Sequence, residues 1–453
     1  MEKVQTIKER KPKKGNLRYF LAWSSRGVSL GVNAILLMQI TYYATEYVGL
    51  SAGIVGTMLL VSKIFDGLTD LAAGFIVDKT NTRWGRARPY ELFLIPTWIL
   101  TIMLFSTPNI GKTGQAFYIF VMYLLINAVC ITFLNASEAV FLSRSAKDES
   151  LMAKTLSFAG IASMIFPAIV SIILPILMAN WGNQPGGWTK IMLVFGVPFT
   201  IIGICRFLFV KELPVEGDTE VKITLKESLH ALSKNKYIFI ISSAALFANL
   251  AINVVAAVQT YYFTYIMGDL ALMSVVGMLG ILTPFILILF PVALQKIGGM
   301  NFVKLGLVVA AVGNLIKYFA GTNLTLIMIG SLFSNLGSSL VLLVGSIFVI
   351  QCMDYGEWKT GIRVEGMVNS VFGFASKVGV GLASGLVGLV MGLSGYVGGA
   401  ATQTSSAVSA IVNLYSLIPA IICILMIVVL QFYNLEKMEG QIRTDLEERK
   451  NSK

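Results

Sequence analysis

Three charged residues interrupt an otherwise apolar stretch of this 453-residue chain: Lys63, Asp66 and Asp70, in VSKIFDGLTDLAAGFIV. Their spacing of three and then four residues puts them on one face of a helix. A charge at the middle of a bilayer costs roughly 2.5–3.5 kcal/mol, so such residues face a cavity and act there. The stretch runs into a short basic loop with Lys79, Arg83, Arg86 and Arg88, which reads as cytoplasmic. An acidic pair facing a cavity and leading into a basic loop points to a transporter.

The elements that must position these residues are membrane helices. Hydrophobic residues make up 56% of the chain and charged ones 13%, and apolar runs of about 18 or more residues recur along its length. The net charge of +11 sits mainly at helix ends, as topology requires, which argues against nucleic-acid binding. Cys130, Cys205, Cys352 and Cys423 lie far apart in apolar segments and read as small hydrophobes, neither disulfide framework nor metal site. The expected fold class is an all-α polytopic membrane protein with twelve transmembrane helices in two six-helix bundles. Residues 1–18 read as a basic cytoplasmic tail, 19–210 as the first bundle and 211–236 as a central cytoplasmic loop. Residues 237–433 read as the second bundle and 434–453 as a polar cytoplasmic tail. Lys and Arg concentrate in alternate loops and in both tails, so both termini are expected inside. This layout is that of a major facilitator fold, with its site at the midplane between the bundles.

Two stretches carry a more specific resemblance. One is Asp66-Gly-Leu-Thr-Asp70, followed by Gly74 to Asp78 and by Asn81-Thr-Arg-Trp-Gly-Arg-Ala-Arg-Pro-Tyr90. The other is Asp354-Tyr-Gly-Glu-Trp-Lys-Thr-Gly-Ile-Arg363-Val-Glu365-Gly, with Lys377 beyond it; the segment Tyr42 to Ser51 agrees. Together they resemble the glycoside–pentoside–hexuronide:cation symporters, the melibiose-permease family. The resemblance implies uptake of a glycoside driven by Na⁺, H⁺ or Li⁺ across a bacterial-type plasma membrane. It also implies that Asp66 and Asp70 hold the coupling cation and that Lys377 lines the cavity. The residue chemistry agrees, because two carboxylates one helical turn apart offer hard oxygen ligands to a small cation. Their proximity also raises at least one pKa, so a proton can serve instead. A structural ion pair of these acids with Lys63 or Lys377 is the competing reading.

Departures from the family bear on the substrate. Leu30 stands where a sugar-binding acid of the first helix is expected, with Arg26 a turn earlier. On the fourth helix Asn135 replaces an acid and Ala139 an aromatic residue, while Glu138 lies beside them. Arg26, Asn135, Glu138 and Lys377 are therefore the expected substrate-binding or coupling residues. Spare positive charge at Arg26 would favour an anionic glycoside such as a hexuronide. Asp78, Arg83, Arg86 and Arg88 are expected to gate the cytoplasmic end by pairing across the bundles, with Asp354, Arg363 and Glu365 as partners. Arg206 and Lys317, near helix ends, read as topological anchors. Tyr42, Tyr43, Tyr261, Tyr262 and Tyr265 read as an interfacial belt or as stacking surfaces for sugar rings. His230 lies in the central loop, outside any intramembrane proton relay. No enzyme chemistry and no cofactor is expected; the partners are a sugar-like small molecule and membrane lipid, and the chain is expected to act as a monomer. A sodium-coupled lysolipid carrier of the same fold is the alternative.

Overall fold

The computed structural model describes residues 17–145, 149–212, 230–287 and 296–451. The basic tail through residue 16 and the middle of the central loop lie outside the described residues. Everything described is helix or short connection. The first half comprises α1 (Leu17–Leu37, extended by shorter turns to Tyr47), α2 (Ala52–Lys79), α3 (Leu94–Leu104), α4 (Lys112–Ser145), α5 (Glu149–Trp181) and α6 (Gly187–Phe209). The second comprises α7 (Lys236–Tyr265), α8 (Met273–Leu287), α9 (Gly299–Ala320), α10 (Leu324–Thr360) and α11 (Glu365–Leu393). It closes with α12, built from Ser405–Val412, a π-helical turn at Asn413–Leu417, and Ile418–Leu430. Among the described residues, nine helical segments are long and apolar enough to cross a membrane. Many large apolar side chains face outward, among them Phe117, Ile201, Phe319 and Leu393. A lipid-facing surface explains that exposure.

Local chemistry sets the boundaries. Ser51 caps α2 by accepting from the Ile54 N–H, and Asn235, Asn323 and Thr404 do the same for α7, α10 and α12. Helix extends beyond the apolar stretches in two places. α10 continues to Thr360, where Gly361 ends it with a φ of +75°. The tail after 434, expected as a polar extension, instead forms a helix, α13 (Glu439–Asn451). It docks on α10, with Trp358 Nε1 donating to Asp445 at 2.7 Å and Gln351 to Glu439 at 2.7 Å.

Two helix pairs join the halves, α2 with α11 and α5 with α8. α2 and α11 run antiparallel and touch backbone to backbone. A Cβ on Gly388 would lie 2.5 Å from the Ala52 carbonyl oxygen and 2.7 Å from the Cα of Gly56. Gly385 and Gly381 continue that stripe against Leu60 and Lys63. Small residues at this spacing let two membrane helices approach closely, and the register carries Lys377 to the level of Asp66.

Candidate cation and sugar site

The site forms where α2, α4 and α11 meet. Lys377 Nζ on α11 lies 3.0 Å from Asp66 Oδ1 and 2.5 Å from Asp70 Oδ2. The Thr132 hydroxyl on α4 lies 2.9 Å from Asp66 Oδ1 and 3.1 Å from Asp70 Oδ1. It has one proton, so it bonds one carboxylate at a time and leaves the other oxygen free to take a further ligand. Lys63 donates to Asn127 Oδ1 at 2.7 Å and reaches Asp66 Oδ2 at 3.4 Å. The result is two carboxylates against two ammonium groups, with no net charge. Asp66 is sealed, its side chain 6% exposed, whereas that of Asp70 is 42% exposed. The pair is therefore open to solvent from the Asp70 side.

Asn127 and Thr132 come from a π-helical turn of α4, Leu125–Ile131, and the residue that follows it. The extra residue in such a turn re-aims side chains and frees a carbonyl; here the Asn127 carbonyl, 3.1 Å from the Thr132 hydroxyl, is a third acceptor competing for its one proton. Beside this cluster a cavity of about 260 Å³ lies between the halves. Lys63, Tyr123, Asn127, Thr41, Asn253 and Ser384 supply its polar lining.

Arg26 and Glu138, expected separately at the substrate site, instead bind each other in a buried cluster of the first half. Arg26 pairs with Glu91 at 3.2 Å, with Glu138, and with the Leu134 carbonyl. Arg206 completes the group, 2.8 Å from Glu138 and 3.7 Å from Glu91, its guanidinium stacked 3.6 Å from the Trp23 ring. The spare positive charge expected at Arg26 is not there, because two carboxylates and two guanidinium groups balance inside the first half. Asn135 is exposed on α4, apart from both clusters.

Arg206 and Lys317 are not anchors at helix ends: each side chain is 1% exposed or less in total surface. Lys317 Nζ donates to the Tyr415 carbonyl at 3.2 Å, in the π-helical turn of α12. The tyrosines form neither a belt nor a sugar platform. Tyr42, Tyr261 and Tyr265 tie the two halves where α1 ends, whereas Tyr43 and Tyr262 bond within their own halves. Tyr42 bonds Thr264 at 2.9 Å, Tyr261 bonds Thr45 at 2.6 Å, and Tyr262 donates to the Gly321 carbonyl at 2.6 Å. Glu46, which the sequence did not single out, is the centre of this seal. Its carboxylate accepts from Tyr265 at 2.8 Å, from the Gly399 N–H at 2.8 Å, and from Tyr396.

At the opposite, basic end the contacts described for Arg83, Arg88, Asp354, Arg363 and Glu365 lie within their own halves. The backbone N–H groups of Arg86 and Ala87 donate to the Glu212 carboxylate at 2.8 and 2.6 Å. Gly85 allows this with a φ of +119°, since a Cβ there would collide with that carboxylate. Arg88 donates to the Phe207 carbonyl at 2.9 and 2.7 Å, and Arg83 lies over Trp84. Arg363 binds Asp354 at 2.7 Å, Glu357 at 2.8 Å and Glu365 at 2.5 Å, and these carboxylates raise its pKa above the usual guanidinium value. The side chain of Asp78 lies outside the described residues.

Two bundles joined by α2–α11 and α5–α8, with a charged cluster and a cavity between them, define a transporter of the major facilitator type. Residues 27–437 match the family model described as MFS/sugar transport protein, and the chain belongs to that family, of the glycoside–pentoside–hexuronide type. It is 29% identical over 427 residues to the isoprimeverose transporter of Lactiplantibacillus pentosus, covering 92% of this chain and 88% of that one. It is 24% identical over 441 residues to the glucuronide carrier protein homolog of Escherichia coli, covering 95% of each. The crystal structure of a D-xylose-proton symporter superposes with a TM-score of 0.69 at 14% identity, over 92% of this chain and 97% of that one. The chain is thus an integral multi-pass secondary transporter of a sugar-like substrate, not an enzyme.

Proposed function

We propose that this protein is a symporter that couples entry of a neutral glycoside to a small monovalent cation (Na⁺, H⁺ or Li⁺) bound between Asp66 and Asp70. The observation that carries the reading is the convergence of both carboxylates on one ammonium, that of Lys377. A site that holds one positive charge from the opposite half suits a monovalent cation competing for the same oxygens. When that cation displaces Lys377, the ionic link between α2 and α11 is lost, so occupancy biases how the halves sit. Neutral hydrogen-bonding groups dominate the polar lining of the central cavity, and Arg26 is already neutralised, which favours a neutral glycoside over a hexuronide. The concentration of Lys and Arg in alternate loops supports a cytoplasmic position for both termini.

Cation and sugar affinities must enhance each other to the same degree if the sites are coupled. Titration of the purified protein with isoprimeverose should show tighter binding in Na⁺, in Li⁺ or at lower pH than in choline at neutral pH. An affinity independent of all three would overturn the coupling.

A further inference from the structure

A groove of about 890 Å³ lies between α1, α5 and α6 of the first half. Leu21, Ile161 and Phe209 line it and are exposed, so it opens towards lipid and away from the central cavity. Its hydroxyls are already satisfied: Ser24 and Ser25 donate to the Phe20 and Ala22 carbonyls of their own helix, each at 2.8 Å. What remains to be covered is apolar. Along α1 the lining runs from Leu17 to Val28, roughly 16 Å at 1.5 Å per residue. That is close to half of the ~30 Å hydrocarbon thickness, the depth of one leaflet.

One end of this groove is cationic. Arg18 lines that end, its guanidinium carbon 4.6 Å from the centre of the Phe209 ring. Arg18 is exposed and pairs with no carboxylate among the described residues. Lys154 of α5 is also exposed and without a described partner. It precedes the lining residue Phe158 by four positions, so it extends the same face of α5. The rings of Phe20 and Phe158 lie 5.8 Å apart, which brings the starts of α1 and α5 to one end of the groove. Two cations without counter-charges thus stand over an apolar channel one leaflet deep, at the end of the molecule that carries the basic loops. A phospholipid joins a phosphate to acyl chains of that depth, and an arginine fork matches phosphate oxygens. A zwitterionic headgroup would add its own ammonium beside these two, so an anionic headgroup is the complement.

We propose that this groove is a headgroup-selective site for an anionic phospholipid, with its phosphate at Arg18 and Lys154 and an acyl chain along Leu21, Phe158 and Ile161. The inference is independent of the sugar and cation reading above.

The test titrates full-length purified protein with dioleoyl phosphatidylglycerol and dioleoyl phosphatidylcholine, bound lipid being counted by native mass spectrometry. Wild type should bind phosphatidylglycerol more tightly. A cation at the membrane surface adds about fivefold to the affinity for an anionic lipid. Arg18→Gln and Lys154→Gln should therefore each weaken phosphatidylglycerol binding about fivefold and leave phosphatidylcholine unchanged. Both side chains are exposed, so an unchanged unfolding temperature in detergent should report an intact fold. Ala162→Trp, which fills the groove, should weaken both lipids, and excess glycerophosphate should displace neither. Equal affinities for the two lipids in wild type, or an unchanged preference in both charge variants, would overturn the headgroup site. Undiminished binding to Ala162→Trp, or displacement of phosphatidylglycerol by glycerophosphate, would overturn the groove as the seat of the chain and the proposal with it.

Discussion

The division of labour between two arginine-bearing and lysine-bearing clusters is decided by individual partners. Lys377 faces two aspartates that share one hydroxyl, one of them open to solvent, which is the opening the proposed coupling cation needs. Arg26 faces Glu91 and Glu138 together with Arg206, in a packed group where Glu91 is 2% exposed. Removing one member of a buried charge network leaves its partner uncompensated, typically at a cost of 3–5 kcal/mol. Glu138 is partly exposed, so we expect about 3 kcal/mol for Arg26→Gln, seen as a lower unfolding temperature in detergent. Competition by matched glucosides and glucuronides should keep the wild-type preference. A changed sugar preference with unchanged stability would return Arg26 to the substrate site. The paired acids and Lys377 were legible in the sequence because charges in apolar helices are rare. Thr132, Asn127, Glu91 and Arg206 were not, because their roles depend on which distant helices become neighbours.

At the scale of elements, three π-helical turns among the described residues each lie beside a polar feature that bridges helices. Leu125–Ile131 adjoins Thr132, Tyr43–Tyr47 contains Glu46, and Asn413–Leu417 offers the Tyr415 carbonyl to Lys317. None of these turns has a proline or glycine to announce it, so periodicity alone reads straight helices there. The glycines of α11 are visible in the sequence, but their partner helix is not. Because a Cβ on Gly388 meets backbone atoms of α2, which cannot swing aside, Gly388→Val should force α2 and α11 apart. Overpacking of this kind costs about 1–3 kcal/mol, enough to shift a two-state equilibrium roughly 5- to 150-fold away from the form closed at the Glu46 end. In a cysteine-free background, a cysteine placed at Ala257 should then react faster with an impermeant thiol reagent added outside. An unchanged rate in a folded variant would mean that this crossing does not hold that end shut.

For the whole molecule, the sequence carried the order of helices, the two halves and the family well, since hydropathy and loop charge follow directly from the bilayer. It carried less of what extends beyond the bilayer. The last turns of α10 and the docked α13 are polar, and their pairing through Trp358 and Gln351 is a tertiary choice. The expected gate also reads differently in three dimensions. Cross-half polar contacts gather around Glu46 and the tyrosines, while Arg88 and Arg363 bind within their own halves, as suits a carrier closed at one end. In the proposed coupling, Lys377 leaves Asp66 and Asp70 when the cation arrives. The most direct measurement is concentrative uptake of labelled isoprimeverose into proteoliposomes under an inward Na⁺ or H⁺ gradient, alongside counterflow without a gradient. Wild type should perform both, whereas Asp66→Asn and Asp70→Asn should lose accumulation and retain counterflow. Wild-type accumulation in both variants would contradict the account.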